Sequence, residues 1–190
     1  MNRRLSAADR ATSTSGWIQI MNFLVSGLLA IACAIGIRRF FRGGRGGTWA
    51  PLFIGLDGLG LITAGIFHPD PAYGFPPGAP VGTMPTISQH AAMHGVGFVL
   101  AIASLTIASF IFARRYFSLR QARWGWYSVA NGVVAPVLVI MGMAVLPNRA
   151  SIIFAVVGIV AFGWVSAVAF ELLRELAATN DKHLYESGAS

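Results

Sequence analysis

Residues 88–112 read SQHAAMHGVGFVLAIASLTIASFIF, twenty-five residues without an Asp, Glu, Lys or Arg. As a helix rising 1.5 Å per residue this run measures about 38 Å, more than the roughly 30 Å hydrocarbon layer of a bilayer. Strands in isolation cannot satisfy their backbone groups in lipid, whereas a helix closes its hydrogen bonds internally. Four further apolar runs of similar length flank it: Trp17 to Ile37, Thr48 to Phe67, about Trp124 to Leu146, and about Ser151 to Leu173. The expected architecture is all-α, a polytopic bundle of five membrane-spanning helices. Residues 17–175 form a single transmembrane domain, 1–16 an extracytoplasmic segment, and 176–190 a polar cytoplasmic tail that frays.

Composition agrees. Of 190 residues, 55% are hydrophobic and 11% charged, and the mean hydropathy is +0.65. Soluble domains carry about 25% charged residues, so this chain lacks a polar shell. The formal charge of +7 does not indicate nucleic acid, because the arginines cluster beside apolar runs, where they set helix orientation. Cys33 is the only cysteine, which excludes an internal disulfide and fits a small packing residue. The first apolar run is too long and too polar-flanked for a signal peptide. No repeat, low-complexity segment or second domain is visible.

Ten of the fourteen Lys and Arg residues fall on one side of the five spans: Arg38, Arg39, Arg42, Arg45, Arg114, Arg115, Arg120, Arg123, Arg174 and Lys182. Arg3, Arg4, Arg10 and Arg149 fall on the other. The positive-inside rule therefore places the C-terminus in the cytoplasm of a cell-membrane protein and the connection between the second and third spans outside. Small residues four apart, Gly60 and Ala64, Gly97 and Ala101, Gly163 and Ala167, mark helix faces that approach closely.

The outer connection holds the chemistry. It runs Phe67-His68-Pro69-Asp70-Pro71, then Tyr73-Gly74-Phe75-Pro76-Pro77-Gly78, and reaches His90 and His94 at the start of the third span. Pro and Gly frame a compact lid around Asp70. His90 and His94 lie one helical turn apart on one face, a two-ligand spacing that His68 or Asp70 could complete around zinc or another divalent metal. HExxH is absent because residue 91 is Ala, so a metalloprotease base is missing. Asp57 lies inside the second span, where a carboxylate costs about 2.5–3.5 kcal/mol and calls for a partner. Its depth, about 15 Å from the end of its span, allows His94 to serve as that partner. Gln19 and Asn22 sit at the outer end of the first span, with Asn131 and Glu171 in a separate inner set. His183, in the tail, reads as solvated.

The expected polar site is therefore Asp57, His68, Asp70, His90 and His94, with the metal set drawn from His68, Asp70, His90 and His94. The foremost function is binding of a metal ion or small ligand by a bilayer-embedded protein. The alternatives are a metal-assisted hydrolase of lipid or headgroup substrates and a non-catalytic assembly protein.

Three segments carry a resemblance: Gly16-Trp17-Ile18-Gln19 with Asn22-Phe23 and Gly27; Gly58-Leu59-Gly60 through Gly65-Ile66-Phe67-His68-Pro69-Asp70-Pro71 to Gly74-Phe75-Pro76-Pro77-Gly78; and His94-Gly95. Over residues 5 to 146 they are similar to the membrane family known as domain of unknown function 998 (DUF998). The resemblance implies a prokaryotic polytopic membrane protein and supplies no reaction. It also implies a further helix ahead of this region, so that the chain is a short form or has a displaced start.

Overall fold

A computed structural model describes residues 7–40, 47–71, 82 and 86–188. Residues 72–81, with Tyr73 and the Gly74 to Gly78 frame, lie outside the described residues, as do Arg3, Arg4, Arg42 and Arg45. Five α-helices follow one another: α1 (Ala7–Phe40), α2 (Trp49–Ile66), α3 (Gln89–Ser118), α4 (Ala122–Ile140) and α5 (Ala150–Gly188). A π turn, Met141–Val145, and a 3-10 turn, Pro147–Arg149, join α4 to α5. No strand occurs among the described residues. Each helix contains or adjoins a stretch long and apolar enough to cross a bilayer: Gly16–Arg39, Trp49–Ile66, Gln89–Ser118, Ala122–Val145 and Ile152–Ala178. Large apolar side chains such as Leu29, Val99, Ile140 and Ile159 are exposed, which suits helices solvated by lipid tails rather than water.

The helix ends have local causes. At the α1–α2 connection, Arg38 Nη1 donates to Gly47 O and to Thr48 Oγ1, each at 3.0 Å. Helix α2 stops where Pro69 disfavours the helical conformation for His68. Ser88 caps α3: its Oγ accepts the Ala91 N–H at 3.1 Å and its carbonyl accepts that of Ala92 at 3.0 Å, as a serine N-cap does. Helix α3 runs six residues beyond the Phe112 expected from hydropathy. It closes in a Schellman arrangement: Gln121 N–H donates to Tyr116 O at 2.9 Å and Arg120 N–H to Phe117 O at 3.1 Å. The left-handed position that glycine ordinarily fills is held by Arg120, at φ 59°, a conformation costing an L-residue about 1–2 kcal/mol. Helix α5 continues to Gly188, through the segment expected to fray.

The described chain packs as two compact units, residues 1–32 with 54–104, and residues 33–53 with 105–190. In the first, helix backbones touch. A Cβ on Gly27 would lie 2.6 Å from Gly58 O, and one on Gly58 equally close to Gly27 O, so α1 and α2 meet at this pair. A Cβ on Gly60 would lie 2.5 Å from Ala101 N, and one on Gly97 2.7 Å from Ala64 N. The Gly60/Ala64 and Gly97/Ala101 pairs thus face each other, as their spacing implies. Gly163 behaves otherwise: a Cβ there meets open space.

The second unit is built around large side chains. Trp164, Tyr116 and Phe112 are almost fully enclosed. The Phe112 ring meets Trp164 edge-on at 5.7 Å and stacks on Tyr116 at 6.1 Å; Tyr116 in turn stacks on Trp124 at 5.8 Å. Buried polar groups bond across helices: Asn131 Nδ2 donates to Ser109 Oγ at 2.9 Å, and Trp164 Nε1 to Ser128 Oγ at 3.1 Å. Arg115 reaches Glu175 at 3.1 Å, which lets a charged residue continue a helix into a packed region.

Candidate functional site

The site expected from sequence falls within the first unit. Asp70 lies in the non-helical segment after α2, and its Oδ2 accepts the Ser88 N–H at 2.8 Å. The carboxylate thereby ties the two ends of the α2–α3 connection together, eighteen residues apart in sequence. Hydrogen bonding to Ser88, through its hydroxyl first and then its backbone N–H, holds the Asp70 carboxyl below its ordinary value, with His90 adding a smaller electrostatic contribution.

His90, in the first turn of α3, is exposed. Its ring packs edge-on to Phe67 at 5.4 Å and lies 6.3 Å from the ring of His68, tilted by 31°. His94, one turn further, is partly covered. Its Nδ1 lies 2.9 Å from Ala64 O and 3.0 Å from Phe67 O, the carbonyls at the end of α2, and its ring meets Phe23 of α1 edge-on at 6.3 Å. Two carbonyl oxygens can only accept, so Nδ1 carries a proton, and in the Nδ1–H tautomer Nε2 is an acceptor.

Asp57 is 4% exposed. The direct Asp57–His94 pairing expected from their depths is not formed, because His94 turns its Nδ1 to the α2 carbonyls. Among the described residues the Asp57 carboxyl has no hydrogen-bond donor or charged partner. Equal depth specifies height along a helix but leaves the direction of the side chain open. Asn131 and Glu171 do not form a set either. Asn131 bonds to Ser109, and Glu171 lies 3.9 Å from Arg174.

His68 and His90 are thus brought together, His94 sits a turn below with one nitrogen engaged, Asp70 braces the connection, and Asp57 stands apart in the span. Among the described residues no three His, Cys, Asp or Glu side chains are assembled as a metal-binding group. Sequence reading passed over a second polar constellation. Arg120, Arg123 and Arg174 converge with Glu171, Trp124 and Tyr127 on one hollow in the second unit. Its arginines had been absorbed into the count that sets topology. The non-glycine residue at the helix-terminating position is visible only in the backbone.

Five long apolar helices with lipid-type surfaces and small-residue contacts define a multi-pass membrane protein. The chain belongs to the family described as protein of unknown function DUF998, whose model matches residues 4–171. That match extends beyond residues 5 to 146 and takes in α5 as far as residue 171. No curated protein and no solved structure matches the chain.

Proposed function

We propose that this cell-membrane protein, with its C-terminus in the cytoplasm, binds a divalent metal ion or a small ligand at the outward ends of α2 and α3. The observation that carries this reading is the His68–His90 pair, two exposed imidazoles 6.3 Å apart between centroids. Nitrogen ligands sit about 2.0–2.1 Å from zinc, so two rings at this separation come within reach of a shared ion by modest rotation. Asp70, fixed by Ser88, and His94, with its Nε2 lone pair, are the further ligands nearest in the chain. Asp57 would act on this site electrostatically rather than as a ligand. Ten of fourteen Lys and Arg residues on the opposite side support the outward placement.

The test is zinc titration of the detergent-purified protein by calorimetry, with elemental analysis of the dialysed sample. The wild type should retain about one equivalent, and His68→Ala/His90→Ala should lose at least about tenfold in affinity, the loss typical of a disrupted metal site. Zinc retention unchanged in the double variant, or no retention by the wild type, would remove the metal reading.

A further inference from the structure

The hollow in the second unit is an open depression of about 840 Å³ lined by Arg120, Gln121, Arg123, Trp124, Glu171 and Arg174 among others. Cavities of roughly 300–1,000 Å³ are typical of small-ligand sites. It lies where two candidate spans end, Gln89–Ser118 and Ala122–Val145, and its α5 residues fall near the end of a third, Ile152–Ala178. That is the level at which headgroups stand, and Trp124 and Tyr127 are side chains favoured there.

We propose that this hollow binds the phosphate of an anionic phospholipid headgroup. Three arginines from two separate parts of the chain line it against a single acidic residue, Glu171, which lies 3.9 Å from Arg174, whose guanidinium also stands over the Phe170 ring at 5.9 Å. Guanidinium forks match phosphate oxygens, two bonds at a time. The first turn of α4 also opens here, and Gln121 gives it no side-chain cap. Its leading N–H groups are therefore available to an anion, and the helix dipole favours negative charge at that end.

A topology signal requires only that arginines lie near a helix end. It does not require one in a strained conformation. Arg120 holds the left-handed position closing α3 at φ 59°, where glycine would sit without strain. This chain carries an arginine at a place where glycine would be less strained, and that residue lines the hollow. Strain kept at one residue and chemistry at the same residue point to a binding role.

The test uses the full chain in detergent with dioctanoyl phosphatidylglycerol as probe, followed by tryptophan fluorescence and native mass spectrometry. Dioctanoyl phosphatidylcholine and inorganic phosphate serve as competitors. Arg120→Gly/Arg123→Gln should weaken phosphatidylglycerol binding by about tenfold, as expected for lost charge-assisted hydrogen bonds. Arg39→Gln/Arg114→Gln, which removes the same charge elsewhere, should change it by less than about twofold. Arg120→Gly alone should raise the melting temperature while weakening binding, a combination that misfolding cannot produce. Glu171→Gln should tighten binding. Equal losses in the two double variants would overturn the site, as would phosphatidylcholine binding as tightly as phosphatidylglycerol. Inorganic phosphate binding as tightly as the lipid would overturn the lipid assignment.

Discussion

The two units solve the problem of helix association in lipid by different means. In the first, glycines let backbones touch, as at Gly27 with Gly58 and Gly60 with Gly97. In the second, Trp164, Tyr116 and Phe112 fill the space, and Asn131, Ser109 and Ser128 make side-chain hydrogen bonds across helices. Lipid tails are as apolar as leucine, so neither unit has a hydrophobic drive for helix pairing; close packing and polar contacts must supply it. Backbone contact leaves no volume for compensating side chains. Asp57, next to Gly58 in the chain, is enclosed with no hydrogen-bond donor among the described residues, and the second unit likewise encloses Tyr116 Oη and Asn131 Oδ1 without a hydrogen-bond partner beside its bonded groups. The units therefore differ in how their helices meet, by backbone contact in the first and by large side chains with cross-helix hydrogen bonds in the second.

Breaking backbone contact should have the largest effect. Gly60→Val would force a Cβ within 2.5 Å of Ala101 N, and overpacking of this kind costs about 3 kcal/mol. Gly163→Val, with open space around it, should melt like the wild type. Equal melting of the two variants in detergent would contradict the packing assigned to the first unit.

Asp57→Leu should come next, with the opposite sign. Removing a mid-span carboxyl that has no partner among the described residues should stabilise the protein by about 2.5 kcal/mol, while reducing whatever binding the proposed His68–His90 site performs. Destabilisation on this change would show that the carboxyl has a partner.

Ser128→Ala tests the second unit. It leaves the Trp164 Nε1 without the acceptor at 3.1 Å, and the expected loss is about 1 kcal/mol by chemical denaturation. A neutral result would mean that packing between α4 and α5, rather than this hydrogen bond, holds the two helices together.

The smallest effect concerns Asp70, on the surface of the first unit. Its folded value lies below the ordinary 3.8. The stabilisation is therefore complete above that value and is lost as the pH falls below it toward the lowered folded value. Wild type should lose melting temperature on acidification below about pH 4 relative to Asp70→Asn, in which this contribution is already absent. Parallel pH profiles would show that the Asp70–Ser88 tie adds nothing to stability.

Much of the fold was legible because hydrocarbon thickness imposes one length on every span. Trp17–Ile37 and Thr48–Phe67 lie within two residues of the spans Gly16–Arg39 and Trp49–Ile66. The end of α3 was not legible, since Arg114 and Arg115 read as loop until Glu175 is seen 3.1 Å from Arg115. The site was legible in part. Proline placement located the end of α2, and His90 and His94 fell at the head of α3 as their spacing required. The partner of His94 was not, because a backbone carbonyl has no identity in a sequence and a helical wheel gives azimuth only within one helix. The small pair Gly163 and Ala167 shows the converse error: spacing permits contact, but only a facing helix makes one.

The π turn at the end of α4 bears on how this chain can change length over generations. Leu146 N–H donates to Met141 O at 2.9 Å, a span of five residues where an α-helix uses four. The turn holds one residue more than helical continuity needs. Losing one residue between Met141 and Val145 would restore an ordinary turn and leave Ser128 and Asn131 in register. Losing one at Trp126 or Tyr127 would rotate all that follows by about 100° and bring Asn131 away from Ser109. Insertions and deletions within α4 should therefore accumulate at this one seam, and alignments that force a gapless helix through it will misplace every residue on one side.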